Sequence, residues 1–310
     1  MVKWGEAPER SEVRMSHPIR FSIQTAPQNV SFETMRACWQ RAEAAGFDVA
    51  YVFDHFIPIF TDENGPCMEC FTVLTALASA TKRMRIGTLV VGNSYRHPAV
   101  LANICSTLDV ISGGRLELGI GAGWWEREYR AYGIEFPSVA TRIRQMEEAV
   151  RVIRALCGEH APSFRGRYYT LEDARMEPKP LQKPCFPIFV GGRGEQLTLR
   201  AAARVADGWN IIAATPEELA KKLAVLRAHC ERERRDPASL GVSAAVGFAG
   251  FRPLGPRMMP GALGGSQAEV QEGVARLLEA GADEVILSLR APYDLEAIER
   301  FGTEVAAKLR

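Results

Sequence analysis

The chain has 310 residues, 47% hydrophobic and 24% charged, which excludes a disordered or fibrous polypeptide. Its 38 basic and 37 acidic residues leave a formal charge of +1, so no global field is present to hold nucleic acid or an anionic membrane. A chain of this length buries roughly 75% of its unfolded surface and needs no structural metal or disulfide framework.

Residues 1 to 18 mix three basic with three acidic residues, have no apolar core, and read as a polar extension rather than a signal peptide. No apolar run approaches the about 18 residues of a membrane span. The expected compartment is therefore the cytosol, with seven cysteines kept reduced. Cys67-Met-Glu-Cys70 lacks the second pair of a zinc ribbon, so no metal site is expected. It reads either as a redox pair or as two small thiols on the first turn of a helix.

From residue 19 onward, short β-branched runs alternate with amphipathic segments. Ile19 to Thr25 reads as strand one, and Ser31 to Ala45 as a helix with Phe32, Met35, Trp39 and Ala42 on one face. Asp48 to Phe53 is strand two, followed by a helix at about 67 to 81. Met84 to Val91 is strand three, His97 to Ile111 a helix and Arg115 to Gly119 strand four. A long helix, Val139 to Cys157, carries Ile143, Met146, Val150, Ile153 and Cys157 as one buried stripe. Residues 158 to 186, with four prolines, form an insertion after this fourth helix. Pro187 to Val190 is strand five, Gly194 to Val205 a helix and Gly208 to Ile212 strand six. Capping boxes at Thr215-Pro-Glu-Glu218 and Ser266-Gln-Ala-Glu269 open two later helices. Between them lie strand seven, Val242 to Phe248, and a second insertion, 250 to 265. Asp283 to Leu289 is strand eight, and Leu295 to Lys308 the last helix.

Eight strands alternating with eight helices predict a TIM (β/α)8 barrel, a single domain over residues 19–310. An open doubly wound sheet is the alternative, but strand one is followed by Ala26-Pro27-Gln28 rather than a dinucleotide-binding glycine turn.

In such a barrel the chemistry gathers where strands end. Gln24 closes strand one. Strand two ends Phe53-Asp54-His55-Phe56, where His55 can move a proton and Asp54 can hold its tautomer. Strand three ends Val90-Val91-Gly92-Asn93, with His97-Pro98 opening the next helix. Strand four ends Gly121-Ala122-Gly123-Trp124-Trp125, bare backbone beside two large rings. Strand five ends Gly191-Gly192-Arg193-Gly194, where free amides at a helix start and Arg193 suit a phosphate.

Seven stretches together resemble the bacterial luciferase-like family of flavin and deazaflavin oxidoreductases. They are Gly46-Phe-Asp48, Phe53-Asp-His-Phe56, Gly87-Thr-Leu-Val-Val-Gly92, Arg96-His-Pro-Ala99, Leu108-Asp-Val-Ile-Ser-Gly-Gly-Arg115, Leu118-Gly-Ile-Gly-Ala-Gly-Trp124 and Ala206-Asp-Gly-Trp-Asn210. The resemblance implies the barrel independently, and a flavin-type ring in its mouth. Gln24, Asp54, Val90 to Asn93, Gly121 to Gly123 and Gly191 to Gly194 would hold that cofactor. Trp124, Trp125 and Phe56 would face the substrate, and a non-prolyl cis peptide is expected near Leu89 to Val91. Phe56, where FMN-using members often carry a second histidine, and the Gly-Ala-Gly-Trp segment look more like the branch that uses coenzyme F420. The implied activity is hydride transfer between F420 and a small organic substrate. The alternatives are a two-component FMN monooxygenase fed by a flavin reductase, and a flavin-binding barrel without catalysis. The resemblance also implies a homodimer.

Overall fold

A computed structural model describes residues 17–256 and 258–310. The expected N-terminal extension therefore lies almost wholly outside the described residues.

Eight parallel staves close into a barrel. They are β1 (Arg20–Thr25), β2 (Val49–Val52), β3 (Arg85–Thr88) continued by β4 (Val91–Gly92), β5 (Leu116–Gly121), β8 (Ile188–Gly191), β9 (Gly208–Ile212), β10 (Gly241–Gly247) and β11 (Glu284–Leu289). β1 pairs with β11, and β3 pairs with β5, which closes the ring. The third stave is not the continuous strand expected from Met84 to Val91. It breaks at a cis peptide between Leu89 and Val90, within the expected segment.

The crossover helices are α1 (Phe32–Ala44), α2 (Cys70–Ser79), α3 (Pro98–Ser112), α5 (Val139–Gly158), α6 (Thr198–Val205), α7 (Pro216–Arg232), α8 (Gln267–Glu279) and α9 (Leu295–Arg300). The α9 segment runs on through a π-helical stretch, Phe301–Ala306. Local chemistry sets their starts. Ser31, Ser138, Thr215 and Ser266 each cap a helix with the side-chain oxygen, and Glu269 completes the capping box at Ser266. Trp39 of α1 donates to Thr25 Oγ1 at 2.8 Å, tying the helix to the end of β1.

Three aspartates pin strand starts in the same way. Asp48, Asp207 and Asp283 each precede a strand and accept the N–H of Phe21, Ile188 and Val242 on the preceding stave, all at 2.8 Å. Their carboxylates satisfy donors that the barrel edge leaves without a ladder partner.

Inside the ring, Val49, Tyr51, Leu89, Phe189, Ala245 and Ile286 form the packed core. Gly119 makes room for it: a Cβ there would stand 2.4 Å from the Phe189 ring. Below this layer, Arg20 donates to Glu117 at 2.6 Å and to Glu284 at 2.9 Å, Arg85 donates to Glu117 at 2.5 Å, and Tyr51 OH donates to Glu117 at 3.0 Å. An ionic plug thus seals the N-terminal end. A recess of about 300 Å3 outside it is lined by Arg20, Glu117 and Glu284, whose charges are already paired.

Several sequence expectations are corrected. A short helix, α4 (Glu126–Ala131), follows β5 where none was expected. The 158–186 insertion carries a two-stranded hairpin, β6 (Phe164–Arg165) with β7 (Thr170–Leu171). Cys157 is not a lone helical thiol: it is paired with Cys185, Cα to Cα 5.4 Å, which ties the end of the insertion to α5. α2 begins at Cys70, so Cys67 stands before the helix rather than on its first turn. α6 begins at Thr198, not Gly194. Among the described residues no helix is long and apolar enough to cross a membrane.

Candidate active site

The C-terminal mouth gathers the expected residues from β1, β2, β4, β5 and β8, but wires them differently. His55 leaves β2 with its Nδ1 at 2.9 Å from Glu128 Oε2. Glu128 sits in the first turn of α4, with a fully buried side chain, while the His55 side chain keeps 13% exposure. The Glu128 carboxylate also accepts the Tyr95 hydroxyl, the Phe56 N–H at 2.6 Å and the Ile57 N–H at 3.1 Å. Burial pushes this carboxyl upward, but the hydrogen bonds from His55 and Tyr95 outweigh it and hold the group below the ordinary glutamate range. An ionised Glu128 accepts only, so in the neutral ring Nδ1 carries the proton. Nε2 has no protein partner among the described residues.

Asp54 does not orient His55, contrary to expectation. It is committed to Arg96, which grips it through two donors at 2.6 and 3.0 Å, and to the Gly92 N–H at 3.3 Å. Burial raises its carboxyl above the ordinary aspartate range, against the opposing pull of Arg96. Arg96 also reaches Glu69 at 2.6 Å. The role of the pair is mechanical: it locks the end of the β2 stave to the bend that follows the cis peptide. Gln24 does the same from β1, donating to Leu89 O at 3.0 Å and accepting from Ser288 at 2.9 Å.

Val90 forms the floor, against which Gly121 and Gly191 pack closely. A Cβ on either would come within 2.8 Å of a Val90 methyl. Val91 is buried in the β4 stave and Ala122 packs against the core. Gly123 takes a φ of +78°, and a side chain there would strike the Tyr129 hydroxyl. Beside this loop, Asn93 Oδ1, Ser94 Oγ, Tyr129 OH and Arg142 Nε are buried without hydrogen-bond partners among the described residues. The Arg142 guanidinium lies 3.7 Å over the Phe136 ring, which itself packs on Tyr129. Arg142 Nη1 donates to Pro137 O, and among the described residues the guanidinium pairs with no carboxylate. Unsatisfied buried donors carry a desolvation cost that a bound polar group removes.

The loop after β8 is less open to a phosphate than its sequence suggests. The Gly192 N–H already donates to Asn210 O at 3.1 Å, and Gly192 O accepts from Trp209 Nε1 at 2.8 Å. Gly194 precedes α6 by a full turn, and Arg193 is paired with Glu218 on α7.

Trp124 and Trp125 flank His55 edge-on, with ring centroids at 5.8 and 5.9 Å. Trp124 is 55% exposed and stacks on Phe60. Phe56 is packed between Tyr95 and Tyr132, with ring centroids at 4.6 and 4.5 Å. His97 caps α3, its Nδ1 accepting the Ala99 N–H at 3.3 Å. Cys67 donates to His55 O at 3.2 Å, and burial pushes its thiol up to about 12. Sequence reasoning missed Glu128, Arg96 and Arg142. Arg96 stood inside a motif already singled out, whereas nothing in the spacing of Glu126-Arg-Glu128 separates one glutamate from the other.

The sequence profile described as Luciferase-like monooxygenase matches residues 12–249. An F420-dependent glucose-6-phosphate dehydrogenase of Microbacterium testaceum is 33% identical over 63% of this chain and 57% of its own. An FMNH2-dependent dimethylsulfone monooxygenase of Pseudomonas putida is 27% identical over 94% of this chain and 75% of its own. The solved structure of an F420-dependent secondary alcohol dehydrogenase superimposes with a TM-score of 0.84 over 94% of this chain and 99% of that one, at 23% identity, a likeness of fold. The chain belongs to the luciferase-like monooxygenase family of oxidoreductases.

Proposed function

We propose that the protein transfers hydride between coenzyme F420 and an organic substrate, with His55 moving the accompanying proton. The observation that carries this reading is the His55–Glu128 pair at the C-terminal mouth, with Glu128 buried and His55 part-exposed. When bound, the deazaflavin supplies a ring carbon that exchanges hydride and reacts poorly with oxygen. The residues present fit such a group: a glycine-lined floor at Val90, and, among the described residues, unpartnered Asn93 Oδ1 and Arg142 Nε. Gln24, Asp54 and Arg96 hold the bend against which the ring would lie. Gly92, Asn93 and Gly121 to Gly123 would line it, with its anionic tail directed toward Arg142 or the Gly191–Gly194 loop. Glu128 keeps Nε2 of His55 free to accept or donate a proton at the substrate. Trp124 and Trp125 flank the His55 ring and would border the substrate there.

The matched F420-dependent dehydrogenase supports this cofactor. The alignment of the dimethylsulfone monooxygenase over 94% of the chain supports a second reading, in which reduced FMN arrives from a flavin reductase. Parallel equilibrium titrations with F420, FMN and NADPH test the choice. F420 should bind at least tenfold tighter than FMN. Tighter FMN binding, with oxygen uptake in the presence of a reductase, would transfer the assignment to the second reading. A homodimer is proposed as well, supported by exposed Val110, Ile111 and Leu181, and sedimentation would test it.

A further inference from the structure

We infer that the substrate is a predominantly apolar molecule rather than a polyol. This rests on the oxidoreductase reading of the mouth and names the class of molecule it acts on. A cavity of about 430 Å3 opens over the ends of β1, β9, β10 and β11. That volume lies within the about 300–1,000 Å3 usual for small-molecule sites. It reaches the chemistry through two rings. Phe53 lines it and lies edge-on to His55 at 5.0 Å, and Phe60 lines it and stacks on Trp124.

The apolar walls include Ile212, Phe248, Met258 and Leu289, and Asn29, Thr61, Ser288, Arg290 and Asp294 add polar edges. Among the described residues the Arg290 guanidinium on this wall is without a partner, whereas the other polar side chains are engaged. Gln24 is held by Leu89 O and Ser288. Gln28 donates to Ile59 O at 2.9 Å and accepts the Ile59 N–H at 2.7 Å. Arg252 pairs with Asp294 at 3.1 Å. A polyol entering here would leave water for walls that offer few free partners, at a cost for each unpaired hydroxyl. An apolar chain or ring loses nothing of that kind and gains burial. Phe60 is 74% exposed and Met259 43% exposed at the rim, an unusual cost to carry unless a ligand covers them. Methionines at 258 and 259 can repack around differently shaped apolar ligands.

The neutral fluorophore N-phenyl-1-naphthylamine tests this without cofactor or turnover. It should bind the full-length protein saturably at one site. 1-Decanol should displace it, and glucose 6-phosphate at a hundredfold excess should not. Phe60→Asp should weaken probe binding at least tenfold while keeping the melting temperature, because residue 60 is exposed at φ +58°, where aspartate is better tolerated than phenylalanine. The inference fails if the probe does not bind, if glucose 6-phosphate displaces it, or if Phe60→Asp binds it as wild type does. F420 titration of the same preparations separates the two levels. Retained F420 binding with a failed probe result overturns the substrate class alone, whereas loss of F420 binding overturns the cofactor reading alone.

Discussion

At the N-terminal end of the barrel, Glu117 and Glu284 are buried against Arg20 and Arg85. At the C-terminal mouth, Glu128 is buried against two backbone N–H groups, a tyrosine and His55. The first arrangement neutralises charge with charge and leaves little for a ligand to do. The second keeps a net negative group ionised chiefly by hydrogen bonds and passes its influence to a titratable ring. The mouth also contains the unpartnered Asn93, Ser94, Tyr129 and Arg142 atoms. Buried charge that is fully paired serves stability, and the four unpartnered atoms grouped at the mouth leave bonds that a ligand can take.

The sharpest way to break this contrast is at His55. His55→Ala should lower turnover by about 10²- to 10⁴-fold, the usual contribution of a general acid/base, with F420 affinity unchanged by direct titration. Arg20→Met at the opposite end should do the reverse. It should cost about 3 kcal/mol of stability by denaturant unfolding, leaving buried carboxylates short of a partner, while cofactor affinity stays at the wild-type value.

Much of this contrast was legible in the sequence, and some was not. Strand and helix order followed from apolar periodicity and from caps such as Ser31, Thr215 and Ser266, which act within a few residues. His55, Gly92 and the Gly121–Gly123 loop were placed because they sit at strand ends. Glu128 escaped because its partner is 73 residues away and its helix is six residues long, too short for a periodic signal. Asp54 was assigned to its neighbour His55 on adjacency alone, whereas consecutive residues leaving a strand diverge and Arg96 takes the carboxylate. The Cys157–Cys185 pair spans an insertion with no periodicity to bring its ends together on paper.

Arg142 and Arg193 are the two proposed contacts for the anionic tail. Arg142→Ala should weaken F420 binding by about 10- to 100-fold, since charge-assisted bonds contribute about 1.5–3 kcal/mol when desolvated. Arg193, half-exposed and paired with Glu218, should contribute less, with Arg193→Ala weakening binding by under about tenfold. Equal effects in isothermal titration would place the tail at the β8 loop after all.

Acid titration sharpens the account of Glu128. Its carboxyl is held below the ordinary range, so its stabilisation is fully present above the unfolded value of about 4.3 and is lost as pH falls through the lower folded value. The melting-temperature gap between wild type and Glu128→Gln should therefore stay constant from neutral pH down to about 5 and narrow only below about 4.3. The smallest effect is expected at the Cys67/Cys70 pair. The double serine variant should retain most activity with and without reductant, because burial keeps both thiols protonated.

The central claim is that Glu128 fixes the His55 ring so that Nε2 faces the mouth unprotonated in the neutral form. Long-range 15N–1H correlation spectra of the imidazoles, recorded where His55 is neutral and assigned with His55→Gln, read this directly. The account predicts a protonated Nδ1 and a bare Nε2 in wild type, with that preference weakened in Glu128→Gln. A proton on Nε2 in the wild-type ring would contradict it.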